Sequence, residues 1–388
     1  MSSTQGHLSI HDILVSTREL VPALRASAAE VEAGRKLPSS VLSALDKTGV
    51  FRMAMPKAWG GPEADPFSQI EVIENLALGD ASSAWCAMIL SGSGFYASHL
   101  EDSVARRLYG KLDVRHAGSL RWSGKAEKVA GGYRVTGTWD FCSGCHHADF
   151  LAAGCLVTEN DSPVLNADGS PRILWAVLPA GSFEILDTWY TTGLAGSGSN
   201  DCSAGNVFVP EEHTFNLVDR KRSEPLYSYP PLFLQSLVGV QLGIARHAIE
   251  IALDLAQNKK VMPTGHSLGA EQSVQMAIAE AEGVLGSARS YVRDVVGELW
   301  DALQSGNGPS LKLRAKGMLM MIHAAQSTRR VVESMCDVAG ATAIFAKHPI
   351  ERLRRDIITA NSHFLCQKNK YAIIGHALMG TEPAYPYF

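Results

Sequence analysis

One stretch of the sequence combines residue types that could bind and orient a flat ligand. Residues 131–150, GGYRVTGTWDFCSGCHHADF, open on a Gly-Gly turn and alternate as a strand as far as Trp139. The strand ends close to Ser143 and Gly144, and such an end can place a hydroxyl and backbone N–H groups at the edge of a cavity. Because Gly144 has no side chain, a planar ring could approach the backbone there. The alternative is that Ser143 only closes a turn, as Ser-Gly pairs commonly do.

The same stretch carries a C-x-x-C-H pattern formed by Cys142, Cys145 and His146. Covalent haem attachment uses this pattern in exported proteins, whereas the N-terminal sequence has neither the basic nor the apolar region of a signal peptide. A closed zinc site needs four ligands, usually from two such pairs, and the sequence has one. A redox-active pair of cysteines would be expected at the start of a helix. We therefore expect no metal site and interpret both cysteines as reduced, partly buried thiols.

Composition excludes several classes of function. The chain has 388 residues, of which 46% are hydrophobic, so it can bury a large core in two to three subdomains. A net charge of −4 argues against nucleic acid as a partner. Seven scattered cysteines indicate reduced thiols and hence a cytoplasmic protein. No run of about 18 uninterrupted apolar residues occurs, so we expect no membrane span.

Hydrophobic periodicity divides the chain into three parts. Residues 1–114 carry apolar residues at helical spacing and predict an N-terminal helical domain. Residues 115–222 alternate with period two between Gly, Pro, Asn and Asp, and predict a central β domain. Residues 223–388 predict a C-terminal four-helix bundle. Its four helical segments are Leu232–Gln257, Glu271–Leu303, Leu311–Ala343 and Pro349–Met379.

Four motifs in these parts resemble one protein superfamily. They are the GGYRVTGTW strand followed by Ser143-Gly144, a helix leading to Trp59-Gly60-Gly61, the block from Trp189 through GLAGSGS to VFVP, and R-x-x-RD followed by His363. Together they resemble the acyl-CoA dehydrogenases, and more specifically their flavin-dependent monooxygenase branch, over about residues 15–380. The resemblance implies an α+β fold with an N-terminal helical domain, a central β-barrel-like domain and a C-terminal four-helix bundle.

The resemblance also implies roles for particular residues. In the monooxygenase branch a serine at the place of Ser143 lies near flavin N5, and a histidine at the place of His363 lies beside the flavin, so these two are the predicted catalytic residues. The predicted flavin-binding set is Ser119, Phe141, Ser143, Gly144, Gly340 and His363, and the predicted substrate-binding set is Trp85, Ser93, Phe95 and Trp122. Gly340 would act across a subunit interface. Ser197 and Ser199 either satisfy a tight connection or contact the flavin.

Two chemistries compete on such a fold. An acyl-CoA dehydrogenase needs a glutamate over the substrate as its base. The two places that supply it in the superfamily fall near Phe233 and near Asn361–His363, and this sequence has no glutamate at either. A monooxygenase lets reduced flavin and O2 form a C4a-hydroperoxide in a dry cavity, with a hydrogen-bond partner at N5 and a donor beside the peroxide. Ser143 and His363 suit those two positions, so the sequence favours a flavin-dependent monooxygenase.

The expected partners follow from the same resemblance. No G-x-G-x-x-G motif opens a strand–helix unit, so reduced FAD or FMN would come from a separate NAD(P)H-flavin reductase. Phenol-hydroxylating relatives carry a histidine where this sequence has Ser93, which predicts an aromatic or heteroaromatic, indole-like substrate. An acyl-CoA dehydrogenase with a relocated base, a flavin-dependent N-hydroxylase and a scaffold that has lost its flavin are the alternatives. Broad apolar helix faces predict a homodimer or homotetramer.

Overall fold

The computed structural model describes residues 8–383, and its N-terminal part is helical. Side-chain caps fix where three of the helices begin, because they satisfy N–H groups that have no partner inside the helix. Ser9 and Asp12 form a reciprocal capping box at the first helix, and Asp65 and Asp80 cap the third and fourth. The helices are α1 Ile10–Gly34, α2 Ser39–Thr48, α3 Pro66–Gly79, α4 Ala81–Leu90, α5 Ser93–Ala97 and α6 Asp102–Tyr109.

The central part is a nine-stranded mixed sheet. Its strands are β1 His116–Gly118, β2 Gly124–Val129, β3 Gly132–Trp139, β4 Phe150–Glu159, β5 Ser162–Pro163, β6 Ile173–Pro179, β7 Glu184–Leu186, β8 Asp201–Pro210 and β9 Thr214–Phe215. Hydrogen bonding follows the order β7-β8-β3-β2-β4-β6-β9, and β1 and β5 also pair with β4. Alternation along the sequence predicts the long strands but not β2, because its buried positions are Gly124 and Ala126, which give little hydrophobic signal.

The C-terminal part differs from the prediction in its last helix. Helices α7 Leu237–Asn258, α8 Gln272–Gln304 and α9 Leu311–Ala339 confirm the first three predicted segments. The single helix predicted over Pro349–Met379 is wrong, since α10 Pro349–Ala360 and α11 Lys370–Leu378 are separate. Asn361 fixes the break, because its amide donates to the Ala325 carbonyl at 2.7 Å and its oxygen accepts from Gln241 at 2.8 Å. Such side chains compete with the helix for backbone hydrogen bonds.

The segment Pro230–Asn258 is long and apolar enough, by length and composition alone, to cross a membrane. In the folded chain, however, 89% of its most apolar 18-residue window is buried inside the protein. Buried core helices pass the same compositional test, and this degree of burial favours that interpretation.

Helices α3 and α7 lie very close together because α7 presents two glycines to α3. A Cβ atom added at Gly243 would lie 2.5 Å from the Cβ of Ala77, and one added at Gly239 would lie 2.5 Å from the carbonyl oxygen of Ile70. Both distances are shorter than van der Waals contact, so a larger residue fits only if a helix moves. The contact holds the start of α7 against the N-terminal helices.

Replacing Gly243 by alanine is expected to lower the free energy of unfolding by about 1–3 kcal/mol, because overpacking forces the two helices apart. Gly283 on α8 is the matched control, since no atom lies within 4 Å of a Cβ added there. Gly283→Ala should be neutral or stabilising by up to about 1 kcal/mol, because alanine favours the helix. Urea and thermal unfolding of both variants provide the measurement, and equal effects would contradict the packing argument.

Candidate active site

The three parts of the chain enclose a cavity of about 310 Å³, a volume within the range of small-molecule sites. Its wall includes side chains from α4 and α5, from loops of the sheet, from the segment before α7 and from the break after α10. Large apolar groups dominate this wall, among them Trp85, Phe141, Trp189, Phe233 and Phe364. Within the described residues no aspartate or glutamate lines it. The cavity therefore suits a flat, largely uncharged ligand.

A row of hydroxyls crosses one side of the cavity. The indole N–H of Trp85 donates to Ser143 Oγ at 3.0 Å. Ser143 Oγ and Ser199 Oγ are hydrogen-bonded at 2.7 Å, and Ser199 Oγ and Ser197 Oγ also at 2.7 Å. Hydroxyls linked in this way polarise one another and present defined donors and acceptors in an otherwise apolar space. Ser197 and Ser199 thus belong to the cavity wall rather than serving only a turn.

The loop after β3 holds Ser143 in place through its backbone. Phe141 has a left-handed φ of 57°, and Gly144 has a φ of 71°, which together turn the chain back toward the neighbouring loop. There the N–H of Cys142 donates to the Asn200 carbonyl at 3.0 Å, and the N–H of Gly144 donates to the Ser197 carbonyl at 2.9 Å. The two loops are therefore fixed to each other by both backbone and hydroxyl hydrogen bonds.

His363 lies on the cavity wall, in the break between α10 and α11. Its Nδ1 accepts the backbone N–H of Leu365 at 3.4 Å, which assigns the proton of the neutral ring to Nε2. The ring meets the Trp85 indole edge to face, with centroids 6.0 Å apart. Burial lowers the pKa of His363 to about 4, because the charged form would lose its hydration. The cavity therefore contains a neutral imidazole near pH 7.

Side chains of helix α10 hold the loop that carries Ser197 and Ser199 through hydrogen bonds to its backbone. Asp356 accepts the backbone N–H of Leu194 at 2.7 Å, and Leu194 has a left-handed φ of 49° that few branched residues adopt. Burial raises the pKa of Asp356 to about 7, partly offset by the N–H that it accepts. Arg355 also donates to the Thr192 carbonyl. These hydrogen bonds keep Leu194, Ser197 and Ser199 on the cavity wall.

Two replacements of Asp356 are expected to change the free energy of unfolding in opposite directions. Asp356→Ala leaves the Leu194 N–H unsatisfied and should lower the free energy of unfolding by about 1–3 kcal/mol. Asp356→Asn keeps an acceptor and removes a carboxylate whose pKa is raised, so the cost of ionising it on folding disappears. This free-energy cost grows as the pH rises from the ordinary pKa range of an aspartate side chain toward 7. In denaturation experiments at pH 8, the free energy of unfolding of Asp356→Asn should equal or exceed that of the wild type, and that of Asp356→Ala should be lower. Equal losses in the two variants would contradict the role of the Asp356–Leu194 hydrogen bond.

The neutral state of His363 gives a further test. Between about pH 6.5 and 4 the unfolded chain binds a proton at this residue and the folded chain does not, so stability falls as pH decreases through that window. Burial lowers the pKa values of His116 and His247 to about 3 in the same direction. His363→Asn should reduce the loss of unfolding free energy between pH 7 and 5. An unchanged loss, or an NMR titration of His363 near pH 6.5, would contradict the assignment.

Half of the predicted site residues lie on the cavity wall. They are Trp85, Ser119, Phe141, Ser143 and His363. Ser119 accepts the Arg121 N–H on its hydroxyl at 3.2 Å and the Trp175 indole N–H on its carbonyl at 3.2 Å, so it is held by its own loop and by β6. The structure thus brings together the hydroxyl and the imidazole that the sequence separates by more than half the chain, and their catalytic roles stay predictions.

Three residues predicted to bind the substrate do not line this cavity. The Ser93 side chain is fully buried and its hydroxyl donates to the Val114 carbonyl, so it anchors α5 and does not reach the cavity. Phe95 lies behind Phe233, with which it stacks at 4.9 Å between ring centroids. Trp122 is 49% exposed on the loop before β2. The sequence places these residues on the correct segments but does not determine which way each side chain points.

Two predicted flavin contacts also lie off the cavity wall. A Cβ atom added at Gly144 would lie 3.0 Å from the Leu90 side chain, so the space beside this glycine is filled by α4 rather than left for a ring. Gly340 lies at the C-terminal end of α9, with no atom within 4 Å of an added Cβ. The contact predicted for Gly340 involves a flavin held by a second subunit, and it stays a prediction.

Tyr96 is one of the polar wall residues that the sequence analysis does not predict; Arg121, Thr359, Ser362 and Gln367 are others. It lines the cavity from α5, and its hydroxyl lies close to Gly118, at 3.1 Å from a Cβ added there. No described residue makes a hydrogen bond to that hydroxyl. Burial raises the pKa of Tyr96 well above its usual range, so the hydroxyl stays protonated. The only sequence signal is its position three residues after Ser93, almost one helical turn along the same short helix.

The wall fits the ring system of a flavin. An isoalloxazine is flat and apolar across its faces, with its hydrogen-bonding atoms at the edge, and the cavity offers aromatic faces with one polar side of three serine hydroxyls. Ser143, Ser197, Ser199 and His363 are the residues that would hold that edge. No group of three or more potential metal ligands occurs within the described residues 8–383.

Comparisons with known proteins agree with this geometry. Family models described as the N-terminal and C-terminal domains of acyl-CoA dehydrogenase match residues 13–100 and 236–368. The chain is 30% identical to an indole-3-acetate monooxygenase from Acinetobacter baumannii, over 94% of this chain and 92% of that protein. It superimposes on the HsaA monooxygenase from M. tuberculosis with a TM-score of 0.88 and 25% identity, covering 98% and 100% of the two chains. XiaF from Streptomyces sp., in complex with FADH2 and glycerol, shares the fold with a TM-score of 0.89 at 21% identity, covering 98% of each chain.

The chain therefore belongs to the acyl-CoA dehydrogenase superfamily, within its branch of flavin-dependent monooxygenases. The predicted α+β class, with helices on either side of a β domain in sequence, is confirmed. The relatives span the chain almost end to end, so the resemblance is to whole proteins and not to one shared domain.

Proposed function

We propose that this protein is the oxygenase component of a two-component monooxygenase, which uses reduced flavin and O2 to hydroxylate an aromatic or heteroaromatic substrate. The observation that carries the proposal is the chemistry of the cavity wall. Three linked hydroxyls and a neutral imidazole face an apolar space, and no carboxylate lines it within the described residues. A dehydrogenase acting on a thioester would need such a carboxylate as its base.

Ser143 and His363 both line the cavity and would hold the bound ring system. When bound, reduced flavin supplies the reaction with O2. Ser143 already accepts from Trp85 and shares a hydrogen bond with Ser199, so its remaining capacity is oriented toward the cavity. The neutral His363 ring holds its proton at Nε2, so it can donate a hydrogen bond to a ligand without carrying charge. The aromatic wall excludes bulk water, which strengthens both hydrogen bonds.

An indole-like substrate fits the polar group on α5. Tyr96 stays protonated, so it cannot act as the base that a phenol substrate requires. Its hydroxyl can instead accept the N–H of an indole. The prediction of a non-phenolic substrate thus rests on Tyr96 and not on Ser93, whose hydroxyl donates to Val114. The name of the 30% identical relative, an indole-3-acetate monooxygenase, supports the same ring class.

The remaining partners are part of the proposal. A relative 27% identical to this chain is named an oxygenase subunit, which supports a separate NAD(P)H-flavin reductase as the source of reduced FAD or FMN. Structures of the same fold hold FADH2 in XiaF and FMN in TdsC from Paenibacillus sp. A11-2, so both reduced flavins are to be tested. We place the protein in the cytoplasm as a homodimer or homotetramer, because its seven cysteines are buried free thiols and its long helices offer apolar faces.

Turnover with a flavin reductase, NADH and O2 tests the function directly. Indole should be hydroxylated in proportion to NADH consumed, with FAD and FMN compared as carriers. Ser143→Ala should lower product formation by about tenfold or more while hydrogen peroxide increases, because one positioned hydrogen bond is lost. Ser182→Ala is the matched control, since its hydroxyl bonds only within a surface turn.

Two results would contradict the proposal. One is turnover of simple phenols with no reaction of indoles, which would overturn the substrate class. The other is bleaching of bound FAD by an acyl-CoA under anaerobic conditions, which would establish a dehydrogenase with a relocated base.

A further inference from the structure

One buried side chain of α7 holds both ends of the break between α10 and α11. Gln241 is fully buried, and its Nε2 donates to Asn361 Oδ1 at 2.8 Å and to Cys366 Sγ at 3.2 Å. Asn361 ends α10, and Cys366 ends the short 3-10 helix that follows the break. A single amide group therefore connects the start and the end of residues 361–366 to the bundle.

The orientation of the Gln241 amide follows from its neighbours. A carbonyl oxygen can only accept, so the contact of 2.7 Å at the Ala325 carbonyl requires the Nδ2 side of Asn361. The Oδ1 side of Asn361 then faces Gln241 and needs a donor, which only the Nε2 of the glutamine provides. Both hydrogens of Nε2 are thus used at the break, one on Asn361 and one on Cys366.

The other end of the Gln241 side chain shows that packing alone does not explain an amide here. Its Oε1 is buried and has no hydrogen-bond partner among the described residues. A buried polar atom without a partner destabilises the folded chain, and an apolar side chain of the same size would avoid that loss. What the amide provides in exchange is the pair of hydrogen bonds to the break.

His363 lies between the two positions that Gln241 holds. Its backbone N–H donates to the Ala360 carbonyl at 3.3 Å, and its own carbonyl accepts from the Cys366 N–H at 2.9 Å. The backbone on either side of the imidazole is therefore tied to residues at or next to the anchored ones. Gln241 itself does not line the cavity, so it can reach a bound ligand only through the break.

We propose that Gln241 is a positioning residue for the monooxygenase reaction, which fixes the break so that the imidazole of His363 presents its Nε2–H to the cavity. The inference rests on the proposed function, in which His363 helps to hold the ring system of the flavin. A shift of the break by about 1 Å would misplace this donor, and misplacements of that size can lower rates about a hundredfold. O2 would then more often take two electrons from reduced flavin and two protons, and leave as hydrogen peroxide.

Gln241→Met tests the proposal, because methionine keeps the length of the side chain and removes both hydrogen bonds. With indole, O2 and a flavin reductase, the ratio of hydroxylated product to hydrogen peroxide should fall about tenfold, less than the full effect of a misplaced group because the donor remains. Thr17→Val is the matched control and should leave the ratio unchanged. It also removes a buried polar group, but the Thr17 hydroxyl bonds only within α1.

NMR of the histidine rings provides a second measurement that needs no turnover. Burial lowers the pKa of His363 to about 4 in the wild type. In Gln241→Met the loosened break should admit water to the ring, so the pKa of His363 should rise toward the ordinary value, while that of His116 stays low. Cys366→Ala, which removes one of the two hydrogen bonds, should raise the pKa of His363 by less, and Cys366→Ser, which keeps an acceptor, should restore it.

The proposal is overturned if Gln241→Met keeps the wild-type ratio of product to peroxide, or if the pKa of His363 does not change in that variant. Equal losses in Gln241→Met and Thr17→Val would assign the effect to stability and also overturn it. If Gln241→Met does not fold, the two Cys366 variants decide in the same way. Absence of indole hydroxylation by the wild type would instead reject the proposed function, and the pKa of His363 would still decide whether Gln241 positions the imidazole.

Discussion

The hydrogen bond from the Trp85 indole to Ser143 joins parts of the chain that no local structure would bring together. Trp85 lies on a buried helix, Ser143 on the loop after a strand, and Ser199 on a second loop that continues the hydroxyl row. Asp356 fixes that second loop from a helix near the other end of the chain. Each polar group is satisfied by another, and removing one would leave its partner buried without a hydrogen bond.

The same enclosure keeps two titratable groups of the site, His363 and Tyr96, uncharged. Burial lowers the pKa of His363 and raises that of Tyr96, so both side chains are neutral near pH 7. Both can then donate hydrogen bonds without attracting counter-ions or bulk water into the cavity. Oxygen chemistry on a flavin requires such dryness more than it requires a strong acid or base, since the cofactor carries the reactive electrons.

The scaffold is shared with enzymes that carry out a different reaction. A dehydrogenase and a monooxygenase can use the same helices and sheet, because the fold provides a flat, apolar cavity and the residues on its wall determine the chemistry. Here the cavity wall carries Phe233 and His363, and no aspartate or glutamate lines it within the described residues. The break itself depends on Asn361, which bonds to both α7 and α9 instead of continuing the helix.

The sequence by itself determined the three-part organisation, most helices and long strands, and the two residues on which the chemistry was predicted. It did so because periodicity and short motifs are local properties that survive without any knowledge of neighbours. Tertiary structure alone decided that Ser93 bonds to Val114 while Tyr96 faces the cavity, and that Gly144 is covered by Leu90. It also decided that the last predicted helix is broken at Asn361. In each case the direction of a side chain depends on partners distant in sequence, and packing against those partners overrides local preference.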